Sequence, residues 1–137
     1  MMGGQVMGYA RGFAAVEAVA RHLVESGAGA AVAAVDDHGE LVAFVRTDGC
    51  PLASVQNAIN KAFTAARERV ESAEVGRRSR EEGFPMTNFG DDRYTGWGGG
   101  VPVEVDGRVI GAIGVSGLSE ADDIRLARIG VAAAETA

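Results

Sequence analysis

Lys61 has the clearest potential for chemistry in this sequence. It is the only lysine among thirteen lysine and arginine residues. Asn57 precedes it at helical neighbour spacing, and Thr64 and Glu68 follow it at such spacing. A lysine amine can bind a carboxylate, assist proton transfer or form a Schiff base when it is desolvated, roles that arginine fills poorly. The alternative is a solvated helix face on which Lys61 forms an ordinary salt bridge, and the spacing leaves both interpretations open.

A glycine run and the aromatic segment before it form a second candidate site. The run Gly98-Gly99-Gly100 has no Cβ atoms, so its backbone could approach a ligand closely or present amides to an anion. It follows Arg93, Tyr94 and Trp97, a mixture of side chains expected around a flat or anionic small molecule. A tight transition from loop to strand is the alternative. Ser116-Gly117 ends the next predicted strand and could face the same cavity or form a simple turn.

Two imidazoles, one thiol and one arginine are the remaining candidates for ligation or catalysis. His22 lies in the first predicted helix and His38 in a turn, where exposure is expected. No neighbouring feature argues for an activated thiol at Cys50, so we interpret this cysteine as structural. Arg46 and Asp48 lie two positions apart at the end of a predicted strand. They could line a pocket, although an ion pair between them is the simpler interpretation. The sequence has no Walker loop, dinucleotide fingerprint or HExxH motif.

The composition restricts the class of protein. The 137 residues suit one domain spanning 1–137, and 47% hydrophobic with 23% charged residues is typical of a globular chain. A net charge of −6 opposes binding to a phosphate backbone, so nucleic acid is not an expected partner. No segment has the apolar length of a signal peptide or membrane span, and a single cysteine suits a reducing compartment. We therefore expect a soluble cytoplasmic protein that does not enter a membrane.

Hydrophobic periodicity and turn residues predict the order α-β-β-α-(α)-loop-β-β-α. The predicted helices cover about residues 8–26, 52–70, 72–82 and 119–136. The predicted strands cover about residues 30–35, 41–45, 101–105 and 108–115, with a further short strand near 86–89 in the long loop. An α+β fold, in which an antiparallel sheet is flanked by helices, follows from this order.

Apolar spacing assigns a core-facing stripe to each of the first two long helices. The first stripe consists of Tyr9, Phe13, Val16, Ala20, Leu23 and Val24, and the second of Leu52, Val55, Ile59, Ala62, Phe63 and Ala66. The final helix is apolar on two sides, one with Ile124, Ala127, Val131 and Ala134 and the other with Leu126, Ile129 and Ala133. Two apolar sides predict two neighbours, namely the sheet and either another helix or a second subunit.

Residues 98–130 closely resemble the signature of the GlcG/HbpS-like family. The signature comprises a Gly-Gly-x-Pro strand, the run Ile-Gly-x-Ile-Gly-Val-Ser-Gly and an acid-bearing final helix, present here as GGVP, IGAIGVSG and SEADD. Residues 35–39 and 46–49, and the positions around Ser54 and Lys61, also look like the family's pattern. The resemblance implies a profilin-like fold assembled into higher homo-oligomers. Residues 84–97 differ from the plainer Pro/Gly-rich loop of a typical member.

The resemblance also implies candidate ligands, because family members include haem-binding sensors and haem-degrading proteins. In some of them the first helix carries the axial ligand of haem, which makes His22 the candidate metal ligand here. The leading hypothesis is a small-molecule-binding protein whose ligand is haem or a related tetrapyrrole, held between subunits. The predicted ligand-binding residues are Asn57, Lys61, Thr64, Tyr94, Trp97, Gly98, Gly99, Gly100, Ser116 and Gly117.

Two other functions remain open at this point. The first is a metal-free isomerase, lyase or hydrolase that acts on a small carboxylated metabolite, with Lys61 and either Arg46 or Arg93 as its catalytic residues. The second is an oligomeric scaffold without a ligand of its own. The sequence alone does not decide whether the protein is an enzyme.

Overall fold

The computed structural model describes residues 6–137 and contains one antiparallel sheet with helices on both faces. In chain order the elements are α1 (Tyr9–Ser26), β1 (Ala31–Asp36), β2 (Leu41–Arg46), α2 (Leu52–Glu68), α3 (Ser72–Glu82), a 3-10 turn (Met86–Phe89), β3 (Gly100–Val105), β4 (Arg108–Ser116) and α4 (Glu120–Thr136). The strand order in the sheet is β2-β1-β4-β3, and every neighbouring pair is antiparallel. The predicted α+β fold and its element order are confirmed.

Strand β1 contributes side chains to two separate cores. Val32 and Ala34 join an apolar cluster with residues of α1 and α4, whereas Ala33 and Val35 join a second cluster with residues of α2. Successive side chains of a strand point to opposite faces of the sheet. Helices α1 and α4 therefore cover one face, and α2 covers the other.

Small residues bring α2 unusually close to its face of the sheet. The contacting side chains are mostly alanines, namely Ala58, Ala62, Ala65 and Ala66 on α2 and Ala31, Ala33 and Ala112 on the sheet. A Cβ at Gly114 would overlap the carbonyl oxygen of Ala58, and a Cβ at Gly100 would overlap that of Lys61. This close approach fixes Lys61 at the end of the sheet where β3 begins and β4 ends.

The buried face of α1 differs from the predicted stripe. The helix buries Gly12, Ala15, Val16, Val19 and Leu23. Tyr9, Phe13 and Val24 are exposed, so their assignment to the core was wrong. The physical reason is the close approach of α1 to β2, where a Cβ at Gly12 would meet the side chain of Val42. Small residues make this contact, and the large apolar ones point away from it.

The buried face of α2 is likewise rotated from the predicted stripe. Leu52 is 88% exposed, whereas the polar residues Ser54, Lys61 and Thr64 are buried. The alanine contacts with the sheet determine which side of α2 faces inward. The assignment of Leu52 to the core was therefore wrong, and so was the interpretation of the Lys61 side as a solvated face.

The segment that was predicted to hold a short strand near residues 86–89 forms a single 3-10 turn instead. Aromatic packing holds this loop against α2. The ring of Phe89 stacks on Tyr94 with centroids 4.2 Å apart, and Tyr94 meets the edge of Phe63 at 5.3 Å. The guanidinium of Arg93 lies 4.0 Å from the centroid of the Phe63 ring. Because side chains anchor the loop, its backbone needs no strand partner.

Helix α4 packs beside α1 on the same face of the sheet, where it covers β3 and β4. At Gly130 the backbone of α4 passes close to Val19 of α1 and Ile113 of β4. Its buried residues include Leu126, Ala127 and Ala134. The sequence predicted that the second neighbour of this final helix is either another helix or a second subunit. In the structure the helix α1 of the same chain takes this place. None of the helices in the described part of the chain combines the length and apolar character that a membrane span requires.

Candidate functional site

A buried ion pair between Lys61 and Asp123 forms the centre of the candidate site. The Lys61 Nζ donates to Asp123 Oδ2 at 3.1 Å and to the carbonyl oxygen of Val115 at 3.0 Å. Both charged side chains are only 4% exposed. Burial raises the pKa of the Asp123 carboxyl above its ordinary value, while the Lys61 ammonium and the amide of Leu118 oppose this shift. The pair is thus a desolvated acid and amine in direct contact.

Two helices bring the two charges together. Helix α2 carries Lys61 past the ends of β3 and β4, and the first turn of α4 supplies Asp123. The Ser119 hydroxyl caps α4 by accepting from the amide of Asp122 at 3.1 Å. Asp123 Oδ1 accepts from the amide of Leu118 at 3.0 Å. An acid near a helix N-terminus is favoured by the helix dipole, and here it also fixes the segment before α4.

The glycine run forms a tight entry into β3. Gly99 has φ +127°, a conformation that favours glycine, and a side chain there would overlap the carbonyl oxygen of Val115. The Gly98 amide donates to Glu120 Oε2 at 2.7 Å, and the Gly100 amide donates to the Ser72 hydroxyl at 2.9 Å. These two amides are therefore occupied by side chains of the chain itself, as the loop-to-strand interpretation of the run expects.

A cavity of about 430 Å³ opens beside the ion pair. The residues that line it are Ser54, Asn57, Lys61, Trp97, Gly98, Ser116, Gly117, Leu118, Glu120 and Asp123. Most of these side chains are polar. Trp97, which is 63% exposed, is the only aromatic side chain among the described residues of the lining. The arrangement offers one ammonium, two carboxylates, two hydroxyls and one amide to a small molecule.

The structure brings together a part of the residues that the sequence singled out. Six of them line the cavity, namely Asn57, Lys61, Trp97, Gly98, Ser116 and Gly117. Gly99 and Gly100 lie behind the lining, against Lys61. The role of these eight residues in ligand binding stays a prediction.

Thr64, Arg93 and Tyr94 lie outside the cavity and anchor the loop instead. The buried Thr64 hydroxyl donates to the carbonyl of Arg93 at 3.3 Å and accepts from the amide of Thr95 at 2.9 Å. Arg93 forms a salt bridge of 2.9 Å with Asp91, which lowers the pKa of Asp91 to about 2. The Tyr94 hydroxyl donates to a carboxylate of α2 at 3.2 Å. These contacts give the three residues a structural role.

Arg46 and Cys50 lie away from the cavity as well. Arg46 is exposed at the end of β2, the edge strand farthest from β3. Across residues 6–137 no ion pair joins Arg46 and Asp48, so the predicted pairing was wrong. Burial raises the pKa of the Cys50 thiol, while Arg46 opposes this shift. A raised pKa disfavours the thiolate, in keeping with a structural cysteine.

His22 is exposed on α1, on the other face of the sheet from α2. It lines a shallow surface hollow formed by α1 alone, whose other lining residues are Ala14, Glu17, Ala18, Arg21 and Glu25. Arg21 lies at the side of this hollow and pairs with Glu17 at 3.3 Å. Within one chain, His22 therefore does not belong to the cavity beside Lys61.

The turn between β1 and β2 holds a further cluster of potential metal ligands. Side-chain atoms of Asp36, Asp37 and His38 lie within 4.8 Å of one another. Asp36 Oδ1, however, accepts from the amides of His38 and Glu40 at 2.9 and 3.0 Å. Asp37 pairs with Arg108 at 3.6 Å. Ordinary turn chemistry accounts for the cluster.

The sequence interpretation missed four residues of the lining: Ser54, Leu118, Glu120 and Asp123. One signal for Ser54 was present, because Ser54, Asn57 and Lys61 repeat at helical spacing and mark one side of α2. The acids of the final helix were interpreted only as N-terminal stabilisers. No spacing rule reports that Asp123 meets a lysine 62 residues earlier.

These observations define an α+β protein with a buried lysine–aspartate pair at one end of a helix-covered sheet. A family model described as haem degrading protein HbpS-like matches residues 9–132. The chain therefore belongs to this family, as the signature in residues 98–130 indicated.

Individual relatives agree with this assignment. Protein GlcG of Escherichia coli K12 is 37% identical over 92 residues, which is 62% of this chain and 62% of GlcG, so the match spans less than two thirds of that relative. The structure of Klebsiella pneumoniae protein ORFY has a TM-score of 0.85 at 25% identity, covering 94% of this chain and 90% of that one. The structure of a PduOC:Heme complex has a TM-score of 0.80 at 25% identity, covering 88% and 89%.

Proposed function

We propose that this chain is a small-molecule-binding protein whose ligand is haem or a related tetrapyrrole, and that it acts as a cytoplasmic homo-oligomer. The observation that carries the proposal is the similarity of the fold, over 88% of the chain, to a PduOC protein whose structure contains haem. The description of the family as haem degrading points to the same ligand. The single-domain organisation of residues 1–137 is part of this proposal.

The cavity beside Lys61 does not suit haem. Protein haem iron is usually held by His, Cys, Met or Tyr, and none of these is among the described residues that line the cavity. The one ammonium in the lining is already paired with Asp123, which leaves no free cation for the haem propionates. We therefore do not place the proposed haem in this cavity.

The hollow on α1 offers haem an iron ligand that the cavity beside Lys61 lacks, although Glu17 and Glu25 also line it. The exposed imidazole of His22 would hold the iron, and the methyl groups of Ala14 and Ala18 would give the ligand an apolar surface. Arg21 could bind a propionate, because its exposed pair with Glu17 is weak and easily exchanged. Bound haem would supply iron-centred redox chemistry. The hollow covers only one side of a flat ligand, so a second copy of the chain would cover the other side.

A hemin titration tests this proposal. We expect a saturable Soret shift in the wild type that is lost in His22→Ala, because the axial nitrogen is removed. His38→Ala is the matched control, since it removes the only other imidazole of the chain from an exposed turn. A non-saturating response, or an equal loss in both variants, would contradict the proposal.

Metal-free catalysis in the cavity beside Lys61 is the second candidate function. The observation that favours it is the desolvated contact between an amine and a carboxyl in the wall of a cavity. In such a pair the carboxylate can take a proton from a carbon next to a carbonyl group and return it, while the ammonium stabilises the negative charge that develops on the carbonyl oxygen. Isomerase and lyase reactions begin with this step. Nothing in the structure specifically favours the scaffold hypothesis.

Deuterium exchange in D₂O tests the second candidate. We expect the wild type to exchange the hydrogens next to the carbonyl group in at least one member of a panel of small keto acids, hydroxyaldehydes and hydroxyketones, as measured by proton NMR. The variant with Lys61→Met and Asp123→Asn should not accelerate exchange, whereas His22→Ala should retain it. If no panel member exchanges faster with the wild type than in buffer, this function is refuted.

A further inference from the structure

The walls of the cavity beside Lys61 select a ligand by charge. The charge of Lys61 is offset by Asp123, with which it forms a buried pair. Glu120 adds a further carboxylate, and no arginine or second lysine is among the described residues of the lining. The formal charges of these three side chains therefore sum to one excess negative charge. A carboxylate ligand would be repelled, and solvent screens part of this repulsion because Glu120 is exposed.

The hydrogen-bonding groups of the cavity suit hydroxyl groups. A lysine ammonium has three donors, and Lys61 uses two of them, for Asp123 and for the carbonyl of Val115. One donor is left for an oxygen of a ligand. Ser54 and Ser116 each offer a hydroxyl that can donate or accept. A molecule with several hydroxyl groups can satisfy all of these partners, whereas an apolar molecule would leave them unpaired.

Trp97 and the dimensions of the cavity further restrict the ligand. The volume of about 430 Å³ lies at the small end of the range of ligand sites, roughly 300–1,000 Å³. The exposed indole of Trp97 gives an apolar surface at the side of an otherwise polar wall. The carbon-bound hydrogens of a short polyhydroxy chain can pack on such a ring while its hydroxyl groups face the polar residues.

We propose that this cavity binds a small uncharged polyhydroxy molecule, namely a short-chain polyol or the corresponding hydroxyaldehyde. The sequence favoured a carboxylated metabolite, and the charge of the wall argues against it. The inference rests on the second candidate function in using the same cavity, and it is independent of haem binding. Its test measures binding rather than turnover, so either idea can fail while the other holds.

The fluorescence of Trp97 is a direct probe of binding, because it is the only tryptophan of the chain. The ligands are short-chain polyols and hydroxyaldehydes, each compared with the sugar acid of the same carbon number. Saturation-transfer NMR is recorded in parallel to detect binding that leaves the fluorescence unchanged. We expect saturable binding of at least one uncharged member and about tenfold weaker binding of its acid. An acid that binds as tightly as its uncharged partner, or a panel without any binding, overturns the proposal.

Two pairs of variants test the assignment to individual residues. Glu120→Gln should reduce the difference between each polyol and its acid, because it removes the excess negative charge while keeping an acceptor for the Gly98 amide. Glu135→Gln, an exposed change on the same helix, should leave that difference unchanged. Asn57→Ala should weaken polyol binding several-fold, and Asn60→Ala, on the same helix but outside the lining, should not. Equal effects within either pair would refute the assignment of the ligand to this cavity.

Discussion

At the scale of single residues, the contact between Lys61 and Asp123 joins stability to function. A buried ion pair contributes little net stability, but the loss of one partner leaves an uncompensated charge inside the protein. We expect Lys61→Met alone to lower the free energy of unfolding by about 3–5 kcal/mol. Urea denaturation followed by circular dichroism measures this loss.

The paired variant Lys61→Met with Asp123→Asn should lose less stability than Lys61→Met alone. It leaves no unpaired charge, and the asparagine oxygen still accepts from the Leu118 amide. This variant is thus the folded form in which loss of exchange chemistry can be measured. If the paired variant is less stable than the single one, burial of charge is not the main energetic term at this position.

At the scale of elements, the close approach of α2 to the sheet positions the cavity. Gly114→Ala would place a methyl group on the carbonyl oxygen of Ala58 and push the helix outward. We expect a loss of about 1–3 kcal/mol, the usual result of overpacking, together with weaker ligand binding beside Lys61. Gly8→Ala is the control, because its new Cβ would make only an ordinary contact with Val6 at 3.9 Å. Equal losses in both variants would contradict a role for this contact.

Local signals predicted the elements well, and the reason is visible at the second hairpin. Asp106 and Gly107 both have positive φ, 54° and 78°, as the Asp-Gly turn between two apolar runs predicts. The inward faces of the helices were predicted less well. Residue size was taken as the sign of burial, but Gly12 and Ala58 make the closest contacts while Leu52 is exposed. A helix that packs through small residues gives a misleading pattern of large ones.

The candidate site depends on tertiary contacts that no local pattern reports. Lys61 was recognised from its rarity, and the residues around the glycine run from their order in the chain. Asp123 could not be assigned to the same site, because it is 62 residues away and has an ordinary role as a helix-start acid. Arg93 and Tyr94 looked like functional residues from their order in the chain. In the structure both contact the ring of Phe63 and hold the loop against α2.

At the scale of the whole molecule, the two candidate binding regions lie on different faces of one sheet. The hollow with His22 is on α1, and the cavity with Lys61 is on the side of α2. If the hollow covers half of a haem, two copies share one ligand. The hemin titration should then reach its end point near one haem per two chains, with a matching rise in mass by light scattering. Saturation near one haem per chain, with no change in mass, would contradict a shared site.

The close packing of α2 on the sheet also affects how a ligand enters the cavity. Because Gly100 and Gly114 leave no space between the helix and the strands, α2 cannot slide or tilt without separating from the sheet. The same helix carries Lys61, Asn57 and Ser54. The part of the cavity wall that α2 supplies is therefore held in one position. We therefore expect a ligand to enter this site without a shift of α2, so that movement of this helix does not limit the rate of binding.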